Sequence, residues 1–178
     1  MKATYSIDPA HSSLQFSVRH MMISNVKGTF SGVKGTAVYD PDAPETGAVE
    51  ADIDVNTINT NDPNRDTHLK SPDFLDMAQF PAITFKSTKF ENHGEHLDIH
   101  GQLTIHGVTK PVTLHVEEIT PEGKDPWGNT RIGASAKTTI KRSDFGLSWN
   151  AALETGGFLI GDDVKLDFEV QLVKQAAA

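Results

Sequence analysis

Alternation of apolar and polar residues at period two runs through most of the chain and constrains its fold more than any other feature. Leu14, Phe16, Val18 and His20 share one face of a run whose other face is Ser13, Gln15, Ser17 and Arg19. Val49, Ala51, Ile53 and Val55 alternate with Glu50, Asp52 and Asp54. The same pattern sets Leu97, Ile99, Gly101, Leu103 and Ile105 against Asp98, His100, Gln102, Thr104 and His106, and Val112, Leu114 and Val116 against Thr113, His115 and Glu117. It returns in Val164, Leu166, Phe168, Val170 and Leu172. Shorter runs at 26–30, 33–39, 83–90 and 132–140 bring the expected strands to roughly eight or nine. One polar face per strand is the mark of antiparallel sheets, because strands covered on both sides read as continuous apolar runs. Asn92-His93-Gly94-Glu95 and the return between His106 and Pro111 read as hairpin connections.

The stretch from Asn59 to Pro81 carries no alternation and is rich in Asn, Asp and Pro. Within it Ser71-Pro72-Asp73 predicts a helix start, with a hydroxyl cap, proline in the first turn and an acid at the positive end of the dipole. Phe74, Leu75 and Met77 would form the apolar side of that short helix, covering one end of the β structure. Glycine-bearing loops are expected at 120–130 and 148–161.

With 178 residues, 37% of them hydrophobic, the chain supports one domain over 1–178. So many antiparallel strands either stack as a sandwich or close, and closure removes aggregation-prone edges. The expectation is therefore an all-β antiparallel barrel with one short helix in a long central loop. Gly35, Ala37, Ala51, Gly101, Ala134 and Ala136 fall on apolar faces. Either they fit the taper of a filled barrel, or they leave an apolar cavity, which in water is a binding site.

Composition removes several functions. Acidic residues outnumber basic ones by 24 to 16, a net charge of -8 that repels phosphate backbones, so no nucleic acid partner is expected. The absence of cysteine excludes thiolate chemistry, disulfides and cysteine metal sites. No apolar run near Met1 has the length of a signal segment, which predicts a cytoplasmic protein. Neither a GxSxG elbow, a phosphate loop nor an HExxH helix occurs. Of eight histidines, His93 and His96 sit on a turn, and His100, His106 and His115 on polar strand faces. With no third ligand at a forced spacing, no metal, cofactor or catalytic residue is expected. His20 shares the face of Phe16 and Val18, His68 stands in the central loop, and Arg142 follows a strand beside Phe145.

These segments, taken in order, resemble the YceI-like family of polyisoprenoid-binding, lipocalin-like proteins. The resemblance begins at Tyr5-Ser6-Ile7-Asp8-Pro9-Ala10-His11-Ser12 and continues through Phe16-Ser17-Val18-Arg19-His20 and Val26-Lys27-Gly28-Thr29-Phe30. It includes Arg65-Asp66-Thr67-His68-Leu69-Lys70-Ser71-Pro72-Asp73-Phe74-Leu75, Phe80-Pro81 and the run from Gly101 to Val112. Arg142-Ser143-Asp144-Phe145-Gly146 and Gly161-Asp162-Asp163-Val164 complete it. The resemblance implies an eight-stranded antiparallel lipocalin-like barrel whose pore holds a long apolar ligand: a polyisoprenoid such as a quinone or polyprenyl phosphate, or a fatty acid derivative. It also implies no enzymatic activity, membrane contact during ligand exchange, and a homodimer.

Strand parity assigns the pore wall to Phe16, Val18, Phe30, Ile53, Val55, Phe85, Leu103, Leu114, Ile132, Ala136, Phe145, Leu166 and Phe168, with His20, His68 and Arg142 as polar contacts. Three functions compete on this frame: a carrier, an enzyme using His20 or His68 as a base, and a filled barrel acting as a protein-interaction or stress-response module. The carrier is the preferred reading.

Overall fold

A computed structural model describes residues 1–177. The strands follow the alternation closely. They are β1 (Ala3–Ile7), β2 (Ser13–His20), β3 (Ser24–Phe30), β4 (Val33–Tyr39), β5 (Ala48–Asp54), β6 (Ile58–Asn59), β7 (Ala82–Asn92), β8 (Leu97–Ile105), β9 (Val108–Ile119), β10 (Gly123–Lys124), β11 (Thr130–Lys141) and β12 (Ile160–Lys174). Every recorded pairing is antiparallel. The order β11-β9-β8-β7-β5-β4-β1-β12 closes through the β11–β12 pairing, which makes an eight-stranded barrel. Strands β2, β3 and β6 continue the wall beyond it.

Closure depends on β12, which is long enough to serve three neighbours. One edge pairs with β11 from Asp163 to Val173; the other takes β1 at Leu172–Lys174 and β2 at Ile160–Glu169. Between β1 and β2 the chain steps through a 3-10 turn at Pro9–His11. Asp8 caps that turn by accepting from the Ala10 amide at 3.0 Å, and Ser12 exchanges hydrogen bonds with the backbone of Gln171 on β12.

The helix starts nine residues earlier than the sequence predicts, at Pro63 and not at Pro72. It is α1 (Pro63–Lys70), capped by Asp62, whose carboxylate accepts from the amides of Asn64 and Arg65. Two Asx/Ser-Pro signals compete within ten residues, and Ser71 serves the other end. Its hydroxyl and amide both donate to the His68 carbonyl, at 2.6 and 3.1 Å, closing the helix instead of opening one. Phe74 and Leu75 are buried as expected, but they reach the barrel from a series of turns.

The core is continuous along the barrel, with Tyr5, Leu14, Val33, Ile53, Val55, Leu103 and Phe145 almost fully enclosed. Two of the small residues have a local explanation. A Cβ at Gly35 would lie 2.0 Å from the Glu50 carbonyl oxygen, and one at Gly101 would lie 2.4 Å from the Phe85 ring. Strand approach and the Phe85 side chain occupy those places, whereas Ala37, Ala51, Ala134 and Ala136 face open space.

Candidate ligand site

The barrel interior holds two apolar cavities. The first, about 260 Å³, lies at the end where β2, β3 and α1 meet the loop from Leu147 to Ile160. The second, about 120 Å³, lies toward the other end, among Ala37, Ala51, Ala134 and Ala136 and the rings of Phe85, Phe90 and Phe168. Each far exceeds the ~10–15 Å³ that one water needs, but a lining so poor in polar partners does not hold water well. On β12 the inward residues run Val164, Leu166, Phe168; the first lines one cavity, the last lines the other, and Leu166 lines neither. Leu166 stands opposite Phe16 of β2 and Thr138 of β11, while Leu14 stands between Phe30 of the first cavity and Phe168 of the second. Leu14 and Leu166 thus form a waist between the two spaces.

The sixteen residues assigned by parity divide accordingly. Phe16, Val18, His20, Phe30, His68 and Arg142 line the first cavity. Ile53, Phe85, Leu114, Ile132, Ala136 and Phe168 line the second. Val55, Leu103, Phe145 and Leu166 are buried in the core and line neither. Parity gives the inward direction, and these four side chains meet neighbours there instead of space.

The rim of the first cavity is basic in an acidic protein. Arg19, His20, Arg65, His68 and Arg142 all line it. His20, at the end of β2, is half-buried; its carbonyl accepts from the Ile23 amide, and its ring has no hydrogen-bond partner among the described residues. His68 is held by a 2.9 Å contact from Nε2 to Asp73, and its ring meets Phe74 and Trp149 edge-on at 5.0 and 4.9 Å. Those three rings make an aromatic collar between α1 and the loop. Arg65 donates through Nε and Nη2 to the hydroxyl and carbonyl of Thr60, both at 2.8 Å. Its remaining donors have no partner among the described residues.

Arg142 is less available than the sequence reading implies. Its guanidinium is buried and donates to the carbonyls of Gly161, Leu147, Trp149 and Ile160, at 2.8, 2.6, 2.9 and 3.4 Å. With four of five N–H groups engaged, one is left for a ligand. Burial pushes its pKa down, against the opposing charge of Asp162. Asp162 accepts from the hydroxyl and amide of Ser143, and these hydrogen bonds hold its carboxyl below the usual range. The corner is a backbone clamp on the loop, where the sequence reading has only a polar contact for the ligand.

Sequence reasoning missed Arg65, Trp149, Ile58, Ile83, Ile140 and Ile160 on this cavity. Arg65 lay in a segment already singled out, at one turn's distance from His68. Trp149 lies in an aperiodic loop, where no pattern assigns an inward side.

The chain matches the family model for a YceI-like domain over residues 5–172. Protein YceI of Salmonella newport is 41% identical over 148 residues, 82% of this chain and 77% of the relative. Among solved structures, the Campylobacter jejuni YceI protein is 32% identical with a TM-score of 0.73, covering 89% of this chain and 90% of that one. BcnA of Burkholderia cenocepacia shares the fold at a TM-score of 0.80 and 23% identity, over 93% of this chain and 98% of its own. A domain of Saccharophagus degradans described as polyisoprenoid-binding also shares the fold, with a TM-score of 0.69 and 18% identity over 97% and 99% of the two chains. A barrel closed by β12, the apolar interior and a family match spanning nearly all strands agree: the chain belongs to the family of YceI-like domains.

Proposed function

We propose that the protein binds and carries a long apolar molecule, a polyisoprenoid or a fatty acid derivative, with its tail inside the barrel and its head at the basic rim. The observation that carries this reading is an apolar cavity of about 260 Å³ rimmed by Arg19, Arg65, Arg142, His20 and His68 in a chain of net charge -8. The three guanidiniums gathered at one mouth against the overall charge favour a phosphate or carboxylate head over a neutral quinone ring. The tail supplies the affinity, since each methylene removed from water contributes about 0.8 kcal/mol before the opposing cost of ordering. The structural neighbour described as a polyisoprenoid binding domain supports the ligand class. The reading assigns no chemical step to any residue.

Exchange at a membrane is part of the proposal. Met21, Met22, Ile23 and Phe158 are exposed beside the rim, and Met22 and Phe158 share a shallow groove with Arg19 and Arg142. Met21 and Met22 occupy the two central positions of the β2–β3 turn with φ of 52° and 58°, a conformation unfavourable for side chains of their size. The turn thereby presents two flexible apolar side chains outward.

The test is solvent extraction of the untagged protein from a bacterial cytoplasm, followed by mass spectrometry, beside native mass spectrometry of the intact protein and its flotation with lipid vesicles. One prenyl or acyl compound per barrel is expected, with loss of anionic but not of neutral long-chain ligands in Arg65→Gln, whose melting temperature should also fall with the two bonds to Thr60. The native spectra report the homodimer in the same measurement. A clean apo mass, with no thermal stabilisation by polyprenyl phosphates, quinones or fatty acids, would transfer the protein to the interaction-module reading.

A further inference from the structure

At the opposite end of the barrel the β7–β8 hairpin gathers imidazoles and carboxylates on the outer face. His93 and His96 flank the turn, which is closed by the His93 amide donating to the His96 carbonyl at 3.0 Å and by Gly94 at φ 86°. The two rings stack with centroids 4.6 Å apart and planes within 20°. Asp98 follows two residues later on β8, in register with Glu91 of β7 on one side and His115 of β9 on the other. One oxygen of Asp98 lies 3.3 Å from His93 Nε2; the other is held by His115 Nδ1 at 2.7 Å. The ligand atoms of His93, His96 and Asp98 all lie within 4.8 Å of one another.

We infer that His93, His96 and Asp98 form a site for a divalent transition cation of the zinc or nickel class, with His115 orienting the carboxylate. Imidazole with one carboxylate selects those metals, whereas calcium and magnesium take oxygen ligands. Bonds of about 2.0–2.1 Å in a tetrahedral site bring ligand atoms to roughly 3.4 Å apart, a closure that side-chain rotation on an exposed turn supplies. Asp98 is already set for the role. The bond from His115 Nδ1 at 2.7 Å holds one of its oxygens and leaves the other beside His93. A hydrogen-bond partner placed behind the carboxylate in this way orients the ligand before the metal arrives.

The three ligands lie within six residues of the chain, but strand alternation reads Asp98 only as a solvent-face residue; the β8–β9 register adds His115 beside it. Its position suggests what occupancy does. The inner faces of the same strands carry Phe90, Leu97 and Val116, a small apolar cluster lining the second cavity. A cation bridging the turn to Asp98 would staple the hairpin over that end, independently of any ligand at the basic rim.

The full-length untagged protein, treated with EDTA and desalted, is titrated with zinc chloride near neutral pH by calorimetry. Amide chemical shifts and thermal melts follow in parallel. One equivalent is expected to bind, to shift amides confined to residues 92–98 and 115, and to raise the melting temperature. His96→Gln and Asp98→Asn should each weaken binding by about tenfold or more, while His11→Gln leaves it unchanged. His96 is exposed, so its variant keeps the fold and the test remains decisive if Asp98→Asn does not. No saturable binding, or saturation that survives both substitutions, overturns the inference.

Discussion

Arg131 joins two parts of the chain that are distant in sequence. Its guanidinium donates to Asp125 at 2.7 Å, beyond β10, and to Asp8 at 2.6 Å, at the turn between β1 and β2. Asp8 also contacts His11, and Asp125 also accepts from Trp127 and Asn129. The bond from Arg131, with that from His11, lowers the Asp8 pKa to about 2, and Arg131 likewise holds Asp125 far below its usual range. A carboxyl with a depressed folded pKa stabilises the fold above its unfolded value near 3.9, and that contribution disappears as pH falls toward 2. Arg131→Gln should therefore melt lower than the parent at neutral pH. The gap in melting temperature should narrow from about pH 4 downward, which melts at a series of pH values would show. Asp8 stands in a segment the family resemblance singles out, but nothing in residue types connects it to Arg131, 123 positions away.

The loop from Leu147 to Ile160 has little regular structure, and the Arg142 clamp holds it by its carbonyls. Asn150 adds two bonds to the backbone of Ile160. Arg142→Leu would strip buried carbonyls of their donors, and hydrogen bonds from a charged group are worth about 1.5–3 kcal/mol each. A loss of about 3 kcal/mol or more in chemical denaturation is expected, together with release of the Trp149 collar, readable as a red shift in its fluorescence. Strands were legible because β-patterning depends on one variable, the side of the sheet. The place of the helix was not, because it depends on which of several capping groups finds its partner. Asp62 and Ser71 show this: both suit a helix start, and only the His68 carbonyl decides that Ser71 stops one.

Across the whole molecule, pattern established closure and direction but not volume. Val55, Leu103, Phe145 and Leu166 point inward as parity requires, and they fill the barrel; Ala136 points inward and leaves it open. Ala136 sits in register with Phe168 and Val116 beside the 120 Å³ cavity. Ala136→Phe should occupy that space at small cost in stability, since the new ring displaces a void instead of packed neighbours. Native mass spectrometry across a series of chain lengths should show the longest retained chain becoming shorter, with binding at the basic rim preserved. Unchanged length selectivity would mean that tails stop at the Leu14 and Leu166 waist.

The seam has a kinetic side. β12 follows every other strand in the chain, yet β1, β2 and β11 all find a partner on it. During synthesis the first two strands wait with an open edge until residues 160–174 have emerged, and contacts of such long sequence separation form slowly. Assembly is thus all or nothing: hairpins such as β7–β8 can form early, but no enclosed interior exists until the final strand is laid in. A nascent chain of this kind has exposed apolar faces for the whole of its translation, and its solubility at that stage falls to its acidic outer residues and to the cell's chaperones.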